Sequence, residues 1–292
     1  MGNSIVSGTT KICGVIGDPI EHTMSPVMHN AAFMKLGLDY IYIPFRVKTQ
    51  ELAQAVDGIR ALNIRGLNVT IPHKVAIMQM LDGLDPLAEK IGAVNTILNS
   101  NGDLKGYNTD ATGFLQALLE RGFEPGGKKA VILGAGGASR AISYILAESD
   151  VQLTILNRKL EMDWAEELAW RISHDFKKET KAMELGYDNL ATALERADIL
   201  VNATSVGMSP DSEETPVPTQ LLKADLVVFD IVYNPIKTRL LREAEAAGAQ
   251  TISGIDMLVW QGAMAFERWT GQPAPLDLMR KEAIKSLESH ED

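Results

Sequence analysis

Up to about residue 108, short apolar runs rich in β-branched residues alternate with segments whose apolar positions recur every three or four residues. KICGVIG (11–17) and YIYIPFRV (40–47) predict strands, and PVMHNAAFMKLG between them predicts a helix ending at Gly37. ELAQAVDGIRAL predicts an amphipathic helix and RGLNVTI a strand. Two short helical pieces follow, then AVNTILN and DLKGYN, which Asn101-Gly102 joins as a hairpin. Pro44 lies inside its run and predicts an edge strand or a bulge, because proline cannot donate to a sheet ladder. In NVTIPHK (68–74) the strand reading extends to Ile71, and Pro72 then suits the first turn of a helix through VAIMQML. That reading sets Lys74 against the positive end of a helix dipole, an unfavourable place for a surface cation.

After TDATGFLQALLERG, a helix closed by Gly122, and the polar linker EPGGKK, the pattern becomes more regular. AVILGAGG, a helix, VQLTILN, a helix and ADILVNAT predict successive βαβ units. A loop rich in Pro and acid (SPDSEETPVP) precedes ADLVVFDIVY, another helix and AQTISG, completing a parallel sheet. GIDMLVWQGAMAFERWTG predicts a helix with an apolar face broad enough to pack on a domain, and LESHED a frayed end.

Composition narrows the classes. At 292 residues the chain can bury two separate cores, and 46% hydrophobic with 23% charged residues is ordinary for a soluble protein. A net charge of −10 argues against nucleic-acid binding, yet allows a local basic pocket for an anionic ligand. No apolar run is long enough for a membrane span, and MGNSIVSGTTK lacks the apolar core of a signal peptide. Val6 stands where a myristoylation signal needs Ser or Thr. The single cysteine, Cys13, excludes an internal disulfide and reads as a buried, inert strand thiol. The five histidines lack metal spacing; Pro26 breaks the HTMSPVMH stretch that carries His22 and His29. These features predict a cytoplasmic protein with no metal, no nucleic acid and no membrane partner.

VILGAGGAS follows a predicted strand and opens a predicted helix, the context of a dinucleotide fingerprint. Gly134 allows the tight turn, Gly136 allows close backbone approach to a pyrophosphate, and Ser139 replaces the third glycine. At the end of the next strand an NAD site carries an acid for the ribose hydroxyls, but LTILNRK places Asn157, Arg158 and Lys159 there. Asn can hydrogen-bond a 2′-phosphate and Arg can grip it, which favours NADP over NAD. Hydride transfer between an alcohol and a carbonyl also needs a proton carrier. Lys74 is one candidate, and Asp110 in GYNTD, at the start of a helix, is either its acidic partner or a helix cap.

GDPIEHTMSPVMHNAAF, NVTIPHK, GAVNTI, GYNTD, GAGGASRA, NRK, NATSVGM, DIVYNP and GIDMLVWQGA occur together and in this order. Over nearly the whole chain they resemble the shikimate dehydrogenase family. The resemblance implies reversible NADPH-dependent reduction of 3-dehydroshikimate to shikimate, in the shikimate pathway of aromatic amino-acid biosynthesis. It implies Lys74 as the acid–base group and Asp110 as its partner and a ligand of the substrate hydroxyls. Thr23 and Ser25 would bind the substrate carboxylate, and Thr70, Asn95, Tyr233 and Gln261 would complete the pocket. Gly134, Ala135, Gly136, Gly137 and Ala138 would cradle the pyrophosphate, and Asn157, Arg158 and Lys159 the 2′-phosphate. Thr204, Met208, Ile231 and Gly254 would line the nicotinamide side.

Three departures from the family pattern bear on specificity. Thr23 stands where serine is usual, which keeps the hydroxyl and narrows the pocket. Met162 replaces a second arginine; losing one charged hydrogen bond costs about 1.5–3 kcal/mol and softens the NADP preference. Pro86, beside Asp85, occupies the place of a family acid. A quinate/shikimate dehydrogenase using NAD or NADP is therefore the close alternative, and a noncatalytic shikimate-binding regulator the alternative of another class. The expected fold is α/β with two domains: a substrate-binding and catalytic domain over 1–109, and a Rossmann-type NADP-binding domain over 110–252. The C-terminal helices, 253–292, would return to the first domain, with opening and closing about residues 110 and 253. A monomer or a homodimer is expected.

Overall fold

The computed structural model describes residues 6–21 and 23–289. His22, the Met-Gly start and the final three residues of LESHED lie outside them. The chain folds as two units, Met1–Thr109 with Val259–Asp292, and Asp110–Leu258.

In the first unit a six-stranded sheet comprises β1 (Lys11–Gly17), β2 (Tyr40–Arg46), β3 (Gly66–Val69), β4 (Gly83–Leu84), β5 (Thr96–Ser100) and β6 (Asp103–Tyr107). Its order is β2-β1-β3-β5-β6-β4, parallel from β2 to β3 and antiparallel through β5 and β6. Pro44 sits on β2, an edge strand, where its missing N–H disturbs no ladder on the outer side. Asn101 (φ 58°) and Gly102 (φ 94°) make the turn between β5 and β6, as the hairpin reading predicts.

Successive strand residues face opposite ways, so the two faces of this sheet carry different cores. Ile16, Leu67, Val69 and Ile97 pack with Leu52, Val56 and Ile59 of α2 (Leu52–Ala61) and with Ala88 of α3 (Pro86–Ile91). On the Gly66 and Asn68 side lie aromatic rings from β2, α1 (Ser25–Lys35) and α9 (Gly254–Thr270): His29, Phe33, Tyr42, Phe266 and Trp269. The Trp269 indole donates to the Ile97 carbonyl at 2.9 Å. A Cβ on Gly66 would lie 2.2 Å from the indole nitrogen, so only glycine admits this contact. Burying each large apolar side chain contributes about 1.5–3 kcal/mol. The last helix, α10 (Leu276–Glu288), packs on α1, and Leu287 is buried in it; the expected fraying does not include Leu287 or Glu288.

The helix expected after Pro72 is absent. β3 stops at Val69, the His73 N–H donates to the Thr70 carbonyl at 2.9 Å, and residues 76–80 form one 3₁₀ turn. Ile77 is the only residue buried in that turn, too narrow an apolar face to hold an α-helix. Lys74 therefore precedes a short turn, and the opposing dipole expected for it does not exist.

The second unit contains β7 (Lys129–Leu133), β8 (Gln152–Asn157), β9 (Lys181–Glu184), β10 (Ile199–Asn202), β11 (Val227–Asp230) and β12 (Gln250–Ser253). All six are parallel, in the order β12-β11-β10-β7-β8-β9. Helices α4 (Asp110–Glu120) and α5 (Gly137–Glu148) pack together, and Phe114 stacks on Phe229 at 4.6 Å. On the other face Val131, Leu133, Leu200 and Val228 meet α7 (Tyr187–Leu194) and α8 (Arg239–Ala246). The sequence reading passes from α6 (Met162–Phe176) straight to β10 and misses β9 and α7. None of the four β9 residues is fully buried, so this edge strand shows no apolar run. The strand order reverses between β7 and β10, and sheets of this kind bind ligands at the carboxyl ends of such a switch point.

Candidate active site

In the first unit the NVTIPHK segment is pinned on several sides. Val69 N–H donates to the Asn95 carbonyl at 2.8 Å, Thr70 N–H to Ile16 at 2.9 Å, and Val94 N–H to the Lys74 carbonyl at 2.8 Å. The buried His73 places Nε2 2.6 Å from the Val47 carbonyl. A carbonyl can only accept, so this nitrogen carries the proton. Half-buried Thr70 rests on β1: a Cβ on Gly17 would lie 2.4 Å from its methyl group.

Asn95 and Gln261 are brought together, with the Asn95 amide donating to Gln261 Oε1 at 3.4 Å and to Thr109 Oγ1 at 2.9 Å. The Asn95 oxygen accepts from Thr109 N–H at 2.7 Å. Behind it Asn68 accepts from the Tyr42 hydroxyl at 2.7 Å and donates to the Asn95 carbonyl at 3.3 Å and to Thr96 Oγ1 at 3.1 Å. The sequence reading overlooked Asn68; its signal is a polar side chain at a buried strand position. Ser25 opens α1, buried, and its N–H donates to Thr23 Oγ1 at 3.4 Å. Half-buried Lys74 belongs to this unit.

In the second unit Gly134 turns the chain after β7 with φ +96°. A Cβ there would press on Thr204 Cγ2 at 3.0 Å and on the Ala203 carbonyl at 3.1 Å, so this turn lies against the loop after β10. Exposed Gly136 has nothing within 4 Å of where a Cβ would point. Its backbone is open at the N-terminus of α5, between buried Ala135 and half-buried Gly137 and Ala138, and these residues fit a pyrophosphate. Ser139 donates to the Gly134 carbonyl at 2.6 Å, so the residue that departs from the glycine pattern braces the turn.

Asn157 ends β8, buried, and donates to the Glu161 carbonyl at 2.7 Å. Exposed Arg158 pairs with the Glu161 carboxylate and holds that carboxyl below the usual range; Lys159 beside it is exposed.

The sequence reading also missed a buried network at the ends of β10 and β11. Asn202 accepts from Thr204 Oγ1 at 2.6 Å and from its N–H at 3.1 Å. It donates to the Val206 carbonyl at 3.2 Å and to Asp230 at 2.9 Å. Asp230 also accepts from Val232 N–H at 3.0 Å and from the Thr238 hydroxyl at 2.6 Å. Burial pushes its pKa up to about 6 against these three donors. The network ties together the loops that carry Thr204 and Met208 and, on the other strand, Ile231 and Tyr233. Gly254 starts α9 where a Cβ would lie 2.2 Å from the Ile231 carbonyl oxygen. Asp110, buried at the start of α4, belongs to this unit.

The first unit thus offers hydroxyls, amides and an amine, and the second a cradle for a dinucleotide. Among the described residues no cluster of His, Cys, Asp or Glu could hold a metal, and no helix is long and apolar enough to cross a membrane. Cys13 is buried, and burial raises its pKa and leaves the thiol protonated.

Three family models match the chain. They are the shikimate dehydrogenase substrate binding domain over residues 15–97, shikimate / quinate 5-dehydrogenase over 117–235, and the shikimate 5′-dehydrogenase C-terminal domain over 254–284. The shikimate dehydrogenase (NADP(+)) of Methanopyrus kandleri is 50% identical over 285 residues, which cover 97% of this chain and 98% of that protein. A crystal structure of a shikimate dehydrogenase in complex with NADP+ is similar with a TM-score of 0.91 at 43% identity, covering 97% of this chain and 98% of the other. Shikimate 5-dehydrogenase from Listeria monocytogenes, in complex with shikimate and NAD, gives a TM-score of 0.87 at 44% identity, covering 94% and 97%.

Proposed function

We infer the function from kinship, because this chain belongs to the shikimate dehydrogenase family. It is an NADP-dependent oxidoreductase that interconverts 3-dehydroshikimate and shikimate in the shikimate pathway. The observation that carries this reading is 50% identity across 97% of the chain to a shikimate dehydrogenase (NADP(+)).

Roles within the site are our proposal. Thr23 and Ser25 hold the substrate carboxylate through their hydroxyls, while Thr70, Asn95, Tyr233 and Gln261 bind and orient the ring. Bound to the second unit, NADPH supplies the hydride that reduces the carbonyl carbon. As that carbon is reduced, Lys74 Nζ gives a proton to the carbonyl oxygen and takes it back in the reverse direction. Asp110 pairs with the Lys74 ammonium and accepts from a substrate hydroxyl, fixing the proton donor relative to the ring. The His73 anchor and the Val94 bond support this role, because they hold the Lys74 backbone in place.

Residues 134–138 receive the pyrophosphate, which the open backbone at Gly136 supports. Thr204, Met208, Ile231 and Gly254 face the nicotinamide. Asn157, Arg158 and Lys159 favour NADP, since two cations follow the strand end where NAD sites carry an acid. Thr23 and Met162 favour a second reading, a quinate/shikimate dehydrogenase that also accepts NAD. Initial rates with shikimate or quinate against NADP or NAD decide between them. Highest kcat/KM for shikimate with NADP supports the first reading, and none with any of the four pairs refutes both.

A further inference from the structure

Asn157, which ends β8, and Arg158 after it already have a partner, and it is the same residue. The Asn157 amide donates to the Glu161 backbone carbonyl at 2.7 Å, and the Arg158 guanidinium is paired with the Glu161 carboxylate. We propose that Glu161 is a specificity-determining residue of the cofactor site, whose carboxylate competes with the 2′-phosphate of NADP for Arg158. The inference rests on the reading that residues 157–159 receive the ribose end of the dinucleotide.

Three features give the competition its direction. Residues 158–162 (RKLEM) hold two cations and one carboxylate, a net single positive charge where a dianionic phosphate would bind. Met162, the next residue, adds no cation to restore the balance. The side chain of Glu161 is 24% exposed and that of Arg158 71%, so the carboxylate is the more confined partner and the guanidinium the one free to turn. A 2′-phosphate must draw Arg158 away and then tolerate a carboxylate beside it. NAD presents only a hydroxyl there, which can donate to that carboxylate, the kind of contact NAD sites use.

Among the described residues the Glu161 carboxylate is paired with Arg158 alone. Glu161 precedes α6 without capping it through its side chain, and the Asn157 bond goes to its backbone. Glu161→Gln keeps the size and removes the charge.

The test is equilibrium binding of NADP and of NAD to the full chain, its Glu161→Gln variant and its Arg158→Ala variant. The competition predicts that Glu161→Gln tightens NADP about two- to fivefold, the scale of an exposed ion pair, and does not tighten NAD. Arg158→Ala should weaken NADP and spare NAD. If Arg158→Ala weakens NADP while Glu161→Gln leaves it unchanged or weaker, the competition is wrong and the cofactor reading survives. Equal tightening of NADP and NAD by Glu161→Gln overturns the competition too. If Arg158→Ala leaves NADP unaffected, the assignment of the ribose end falls, and the role of Glu161 falls with it.

Discussion

His73 Nε2 donates to the carbonyl oxygen of Val47 at 2.6 Å, which ties the residue beside Lys74 to the chain just after β2. The loop after β3 has no helix to stiffen it, so this bond and the Val94 bond to Lys74 take that part. His73→Leu leaves the Val47 carbonyl unmatched and should lower the unfolding free energy by about 1–3 kcal/mol, read from urea denaturation. It should also lower kcat, by loosening Lys74. His73→Gln returns an N–H donor and should recover part of both losses; no recovery would mean that the ring acts through packing alone.

Lys74→Ala should lower kcat by about 10²–10⁴, the usual share of a general acid–base group. Shikimate affinity should change far less, because the proton moves only as the reaction proceeds. Calorimetric binding and steady-state rates separate the two. Parallel losses in both would make Lys74 a binding residue.

The glycines of the GAGG turn should answer differently to the same added methyl. Gly136→Ala meets nothing within 4 Å among the described residues, so the melting temperature should hold while NADP and NAD weaken together. Gly134→Ala must adopt φ +96° and press on Thr204, and should cost about 1–3 kcal/mol of stability. Unchanged cofactor binding in Gly136→Ala would remove the pyrophosphate from this turn.

Two buried groups should tilt stability with pH in opposite directions. Asp230, raised to about 6 by burial, binds its proton more tightly folded than unfolded. Its contribution is complete below pH 3.8 and is lost as pH rises through 6, about 3 kcal/mol in all. His29 lies flat on Tyr42 at 4.4 Å, neither ring nitrogen has a hydrogen-bond partner among the described residues, and burial lowers its pKa to about 3. Its contribution is present above pH 6.5 and is lost as pH falls toward 3. Between pH 4 and 6, Asp230→Asn should therefore steepen the acid loss of stability and His29→Phe should flatten it. Chemical denaturation across that window measures both slopes, and slopes equal to the parent's would show that neither group titrates as its burial implies.

Legibility followed how much of each element's cause is local. The β7–α5–β8 unit could be read directly, because an apolar run, a glycine turn and a second apolar run lie side by side. Short, half-exposed β9 carried no pattern, and α7 was lost with it. Pro72 misled because it suits a helix start in isolation, whereas buried His73 and its bond to Val47 form the loop. Asn202 and Asp230 lie within the runs ADILVNAT and ADLVVFDIVY; only strand pairing brings them within 2.9 Å. The Arg158–Glu161 spacing is plain in the sequence, but the 3₁₀ turn at Lys159–Glu161 is what sets carboxylate against guanidinium.

Trp269 takes on a different meaning when the chain is considered as it is made. Its indole closes on Ile97, its carbonyl accepts from Tyr40 at 3.1 Å and Arg65 at 3.0 Å, and it sits on Gly66. All four partners leave the ribosome long before it, with the whole of Asp110–Leu258 synthesised in between. At ordinary elongation rates that interval lasts about ten to thirty seconds. During it the first sheet lacks the tryptophan that covers one of its faces, whereas the second unit is contiguous and has everything it needs. The later-made unit can therefore finish folding first, and a nascent chain stalled before residue 259 presents an uncovered aromatic face to chaperones and proteases.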